Sequence, residues 1–184
     1  MKQLKYSLLA FLLILLVQKE VSAQCQANFT YTTNLLNVAF TSSSIGSSYG
    51  WDFGDGNNST LYSPAHTYLT DGLYKVTHVA NNTGCTDTTF YWVAVNNSPC
   101  PLTAVANYDS TTTFRKKLRF GGSGDNTRTT YLWDFGDGNF SVDKNPVHFY
   151  SNTGNYPVSL VATDSSGCSS SYGFSTRVLC NVIA

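Results

Sequence analysis

The chain has 184 residues, of which 42% are hydrophobic and only 12% charged, and its formal net charge is zero. From Gln24 onward it carries ten Asp, no Glu and eight Lys or Arg, a small acidic balance that offers nothing to a nucleic-acid backbone. Tyr, Thr, Ser, Asn and Gly are abundant, a composition suited to an extracellular β protein.

Residues 1–23 read as a secretory signal peptide. Lys2 and Lys5 make a basic start, Ser7–Val17 is an apolar run, and Val21-Ser22-Ala23 offers a small-residue cleavage site. The apolar run is shorter than the ~20 residues of a membrane-spanning helix, and Lys19-Glu20 ends it. The mature chain is therefore expected to be secreted or held at the cell surface, without a membrane span.

Beyond the leader, turn residues recur at intervals of about eight to twelve positions, and β-branched and aromatic residues fill the gaps. The expected strands are Ala27–Thr32, Leu36–Thr41, Tyr49–Phe53, Leu73–Val79 and Thr89–Val95. A second set follows at Thr103–Tyr108, Phe114–Phe120, Tyr131–Phe135, Tyr156–Ala162 and Ser171–Val178. No segment carries a helical period. Asn96-Asn97-Ser98-Pro99 is a short linker, and Pro99 makes it semi-rigid.

The two sets are copies. Trp51-Asp52-Phe53-Gly54-Asp55-Gly56 returns as Trp133-Asp134-Phe135-Gly136-Asp137-Gly138. At the same offset Pro64, His66 and Tyr68 return as Pro146, His148 and Tyr150, and Gly72, Tyr74 and Val76 as Gly154, Tyr156 and Val158. A fixed period means a scaffold built twice, which argues against any of these residues being a unique catalytic group. Strand alternation puts Trp51 and Phe53 on one face and Asp52 on the other, so the aromatic pair is the expected plug between two sheets. The Gly-Asp-Gly segments are tight turns.

Five cysteines in an exported chain suggest disulfides. Cys85 and Cys168 are repeat equivalents, and Cys25 and Cys100 each open a repeat. Pairing Cys25 with Cys85 and Cys100 with Cys168 gives each module one bridge, worth about 4 kcal/mol in the chain-entropy model. Cys180 is then left over, to begin a truncated third unit, pair between chains or stay free.

The combined series Trp-Asp-Phe-Gly-Asp-Gly, Pro-x-His-x-Tyr and Gly-x-Tyr-x-Val resembles the PKD (polycystic kidney disease) domain, twice over. The resemblance implies two tandem immunoglobulin-like β-sandwiches, expected at 24–98 and 99–184, serving as extracellular spacer, adhesion or binding modules. The cysteines resemble those of versions found in surface proteins of Bacteroidetes-type bacteria, whose chains commonly end in a sorting domain that is not recognisable here.

Candidate chemistry is sparse. The three histidines form no Ser/His/Asp or Cys/His arrangement that the sequence singles out, and His66 and His148 are expected to hydrogen-bond a neighbouring loop. Two Asp per turn are too few for a tight calcium site, so no metal and no cofactor are expected. The places where the repeats differ are more informative. Arg115, Lys117 and Arg119 form a basic stripe where repeat one has Leu35, Asn37 and Ala39. The stripe suits an anionic polysaccharide, or protects a strand from pairing with other sheets. Phe90 and Trp92 match Gly173 and Ser175, and alternation turns them outward, to meet a sugar or protein partner or to pack on the second module. The expected function is a non-enzymatic adhesion or spacer module contacting an extracellular protein or polysaccharide. The alternative is a carbohydrate-binding accessory module of a secreted hydrolase whose catalytic part lies elsewhere.

Overall fold

The computed structural model describes residues 24–100, 102–109, 117–123 and 129–179, and these fold into two tandem β-sandwiches. In the first, β1 (Phe29–Asn34), β2 (Asn37–Ser42) and β5 (Ala65–Thr67) form a three-stranded sheet in the order β1-β2-β5. It faces a four-stranded sheet, β4-β3-β6-β7, made of β4 (Asn58–Ser59), β3 (Ser48–Asp52), β6 (Gly72–Asn82) and β7 (Cys85–Val95). The second repeats the plan. β8 (Val105–Asp109), β9 (Lys117–Ser123) and β12 (Val147–Phe149) form one sheet, with β9 in the middle. Opposite lie β10 (Thr130–Asp134), β11 (Phe140–Ser141), β13 (Gly154–Thr163) and β14 (Ser169–Val178), in the order β11-β10-β13-β14. All pairings are antiparallel.

Four short strands, β4, β5, β11 and β12, go beyond the expected set. Each has two or three residues, too few for alternation to register in sequence. The expected strand at Phe114–Phe120 coincides with β9 over Lys117–Phe120, and its Phe114–Lys116 portion lies outside the described residues.

Each Trp plugs its sandwich as the alternation required. Trp51 meets Phe29 edge-on at 5.0 Å and Phe40 at 5.3 Å, and its indole N–H donates to the Leu61 carbonyl at 2.8 Å. Trp133 is fully buried and donates to the Asp143 carbonyl at 3.1 Å. The disulfides pair Cys25 with Cys85 and Cys100 with Cys168, with Cα separations of 5.9 and 5.7 Å. Cys180 lies outside the described residues.

The modules are joined edge to face. The outer edge of β7 rests on β13 and β14, where its N–H groups find side-chain partners: Trp92 donates to Ser159 Oγ at 3.2 Å, and Ala94 to Ser171 Oγ at 2.8 Å. Asn96 extends the contact by clasping Ser169, accepting from its N–H at 3.4 Å and donating to its carbonyl at 2.9 Å.

Candidate functional site

The repeated motif is a compact tie between the two sheets of each sandwich. In module one, Asp52 accepts from the Gly54 N–H at 2.9 Å and Asp55 from the Asn57 N–H at 3.0 Å. Gly54 has a φ of 79°, and a Cβ there would sit 2.7 Å from the Lys75 carbonyl oxygen, so only glycine fits. Asp55 also meets His66 Nε2 at 2.7 Å, while the imidazole stacks on Phe53 at 4.2 Å. Tyr68 crosses the tie, its hydroxyl donating to the Phe53 carbonyl at 3.0 Å.

Module two reproduces this closely. Asp137 meets His148 at 2.8 Å, Phe135 and His148 stack at 4.1 Å, and Tyr150 donates to the Phe135 carbonyl at 3.0 Å. Burial works against ionisation of Asp55 and Asp137. Hydrogen bonds from the facing His and from Asn57 or Asn139 outweigh it and hold both carboxyls below their usual range. The Asp–His pair and the Tyr hydroxyl of each tie hold the turn to the next strand, which is a structural use. No group of three or more His, Cys, Asp or Glu that could hold a metal occurs among the described residues.

His78 has no counterpart, since Leu160 stands in its place. It is buried and stacks on Trp51 at 3.8 Å. Its Nδ1 faces the Gly50 carbonyl at 3.1 Å and therefore carries the proton. Nε2 is then an acceptor, with the hydroxyls of Ser44 at 2.9 Å and Ser42 at 3.1 Å beside it. Burial lowers the pKa of His78, with the Gly50 hydrogen bond opposing in part.

Phe90 and Trp92 lie on the outer face of β7, opposite the buried Tyr91 and Val93. Phe90 is half-buried under Lys75, whose Nζ is 3.9 Å from the ring centroid. Trp92 is engaged in the joint, its indole N–H donating to Asp134 Oδ2 at 3.0 Å. Gly173 makes that joint possible. A Cβ at this position would lie 2.5 Å from Tyr91 Cγ, so a side chain would drive the modules apart.

The basic stripe falls on β9. Lys117 is in register with Phe149 and Arg119 with Val147 on one side, and Arg119 with Asp109 on the other. Because β9 is a middle strand, the edge-protection reading of its charges does not apply. Arg115 lies outside the described residues. Phe149 and Val147 are 61% and 47% exposed, where module one has Thr67 and Ala65. Sequence reasoning missed this apolar component, although comparing the two Pro-x-His-x-Tyr segments position by position would have found it.

The comparison with protein families agrees with a tandem of two modules. The family model described as PKD domain matches residues 18–95 and 96–178. Collagenase ColQ1 of Bacillus cereus (strain Q1) is 53% identical over 38 residues, 21% of this chain and 4% of that protein. Collagenase ColA of Clostridium perfringens (strain 13 / Type A) is 37% identical over 79 residues, 41% of this chain and 7% of that one. The match thus spans under a tenth of either collagenase. Among solved structures, the PKD1 domain from the Vibrio cholerae metalloprotease PrtV aligns at 24% identity with a TM-score of 0.38, covering 43% of this chain and 98% of that one. With the family model matching both sandwiches, the chain belongs to the PKD domain family, as a tandem of two.

Proposed function

We propose that this chain is a non-enzymatic, exported tandem in which module one serves as a mount and module two presents the contact face to an extracellular polysaccharide or protein. The family and the partial matches to collagenases support an extracellular accessory or binding module. On this reading residues 1–23 are the leader, and the modules divide at 98/99. The observation that carries the finer assignment is the divergence of one sheet face. Asn37, Ala39, Ala65 and Thr67 of module one are replaced by Lys117, Arg119, Val147 and Phe149, while the tie beneath them is unchanged. An exposed aromatic on a strand paired with a basic one can stack on a sugar ring and meet an acidic group.

The test is a glycan screen of residues 24–184 spanning neutral and acidic polysaccharides, with Phe149→Ala and Lys117→Ala alongside. A hit lost in either variant supports the assignment, and a hit indifferent to both moves the contact elsewhere. A second reading, an accessory module of a hydrolase, is favoured by the collagenase matches. It expects binding to that enzyme's insoluble substrate.

A further inference from the structure

The joint between the modules leaves a groove that neither sandwich contains alone. A hollow of about 480 Å3 lies between the start of module one, at Gln24, Gln26 and Asn28, and the end of β14, at Ser175 and Arg177. Asn155 and Arg177 also line a second hollow of about 340 Å3, so the two are contiguous along the strand.

β14 is the outermost strand of its sheet, and the direction of its backbone groups can be assigned. Ser169 turns both its N–H and its carbonyl away from β13, to Asn96. Alternation then turns the same groups of Ser171, Gly173, Ser175 and Arg177 outward. Module one agrees, because Trp92 and Ala94, the equivalents of Ser175 and Arg177, turn their N–H groups out to Ser159 and Ser171. Along β14 the Ser169 end is clasped by Asn96, and Gly173 is covered by Tyr91. Ser175 and Arg177 are exposed at the groove. Open ladder groups at a strand edge are a template for another strand.

Charge selects the occupant. Arg177 has no ion pair among the described residues. Asp87, the carboxylate across the groove, is already engaged by the Ala27 N–H at 2.7 Å and the Thr88 N–H at 2.9 Å. The guanidinium is therefore the group left to be matched, and its geometry suits a carboxylate.

We propose that this groove receives an extended peptide segment carrying a carboxylate, which adds as a strand to the open edge of β14 at Ser175 and Arg177 and sets its charge against Arg177. The occupant is a segment of a protein partner, recognised by strand addition. The inference rests on the reading of the chain as a binding module, but it uses a surface separate from Phe149 and Lys117.

The test pans a phage library of random peptides, ~8 residues long, against residues 24–184 and reads amide hydrogen exchange in the complex. Acidic peptides are expected to be enriched, and exchange at Ser175 and Arg177 should slow by roughly tenfold or more as new ladder bonds form. Ser175→Pro removes one donor while keeping the charge and should weaken binding about tenfold. Arg177→Gln should relax the preference for acidic peptides. Enriched peptides that leave both amides exchanging at the free rate would overturn strand addition, even if Arg177→Gln abolished binding, and so would no enrichment at all. If Ser175→Pro fails to fold, exchange in the unaltered chain still decides. Glycan binding that depends on Phe149, beside a negative peptide result, would sink this inference alone.

Discussion

Asp52 and Asp134 are the same position in two copies of one motif, and each caps the backbone N–H two residues on at 2.9 Å. Asp52 is exposed, whereas Asp134 is only 4% exposed because Trp92 of the other module lies over it. The cross-strand row Asp52, Thr77 and Phe90 of module one becomes Asp134, Ser159 and Gly173 in module two. The first row ends in an aromatic carrying Lys75 on its ring, and the second has been reduced until a neighbour's strand edge can land on it. Two copies of one fold have diverged into a part that docks and a part that is docked upon.

The largest test asks whether the copies remain equivalent inside. Trp51→Ala and Trp133→Ala should each cost about 3–5 kcal/mol, measured by denaturant unfolding. A normal transition in either variant would show that its Trp is not the plug. Next comes the row that differs. Gly173→Val should cost about 2–3 kcal/mol by overpacking against Tyr91 and should lengthen the particle in small-angle scattering. The reciprocal change Phe90→Gly should leave the particle's length unaltered. An unchanged scattering profile for Gly173→Val would mean that the joint does not hold in solution.

A smaller effect is expected from Trp92→Ala, about 2 kcal/mol, since it withdraws the donor from a buried carboxylate. Asp134→Ala in the same background should then cost less than it does alone, since only its cap on the Gly136 N–H remains to be lost, so a double-mutant cycle checks the coupling. Asp52→Ala should show no coupling to Trp92.

The smallest effect separates the modules by pH. His78 is held below its usual pKa of 6.5 in the folded state, so the unfolded chain takes up the proton first as the pH falls. Its contribution is complete above that value and is lost as the pH drops below it. Module one alone should lose stability there, and His78→Leu, which copies Leu160, should remove the slope. Calorimetry from pH 7.5 to pH 5 gives the readout. Equal slopes before and after the substitution would assign the effect to another group. The Asp55–His66 and Asp137–His148 pairs cannot mimic it, because they are present in both copies and both carboxyls titrate below their usual range.

Much of the scaffold was legible in the sequence because repetition supplies its own alignment. The Trp51–Phe53 alternation located the core, and equivalence of Cys85 with Cys168 located the bridges. Alternation also turned Phe90 and Trp92 outward, while what would cover them stayed open. Phe90 is met by Lys75 of its own module, and the edge of β7 around Trp92 rests on Ser159, Ser171 and Gly173, whose contribution is the room they leave and the lone pairs they offer. Small polar residues carry no periodic apolar signal, so a joint made of them cannot be read from one strand at a time.

The packing of Gly173 over Tyr91 also has a consequence in time. During synthesis the first sandwich has all its own strands once Val95 has emerged, yet the surface that closes over Tyr91 arrives only with β14. N-terminal domains generally fold first. Here the first domain waits, with one aromatic edge uncovered, for nearly the whole length of its successor. Any chaperone that attends this chain has most reason to hold it during that interval.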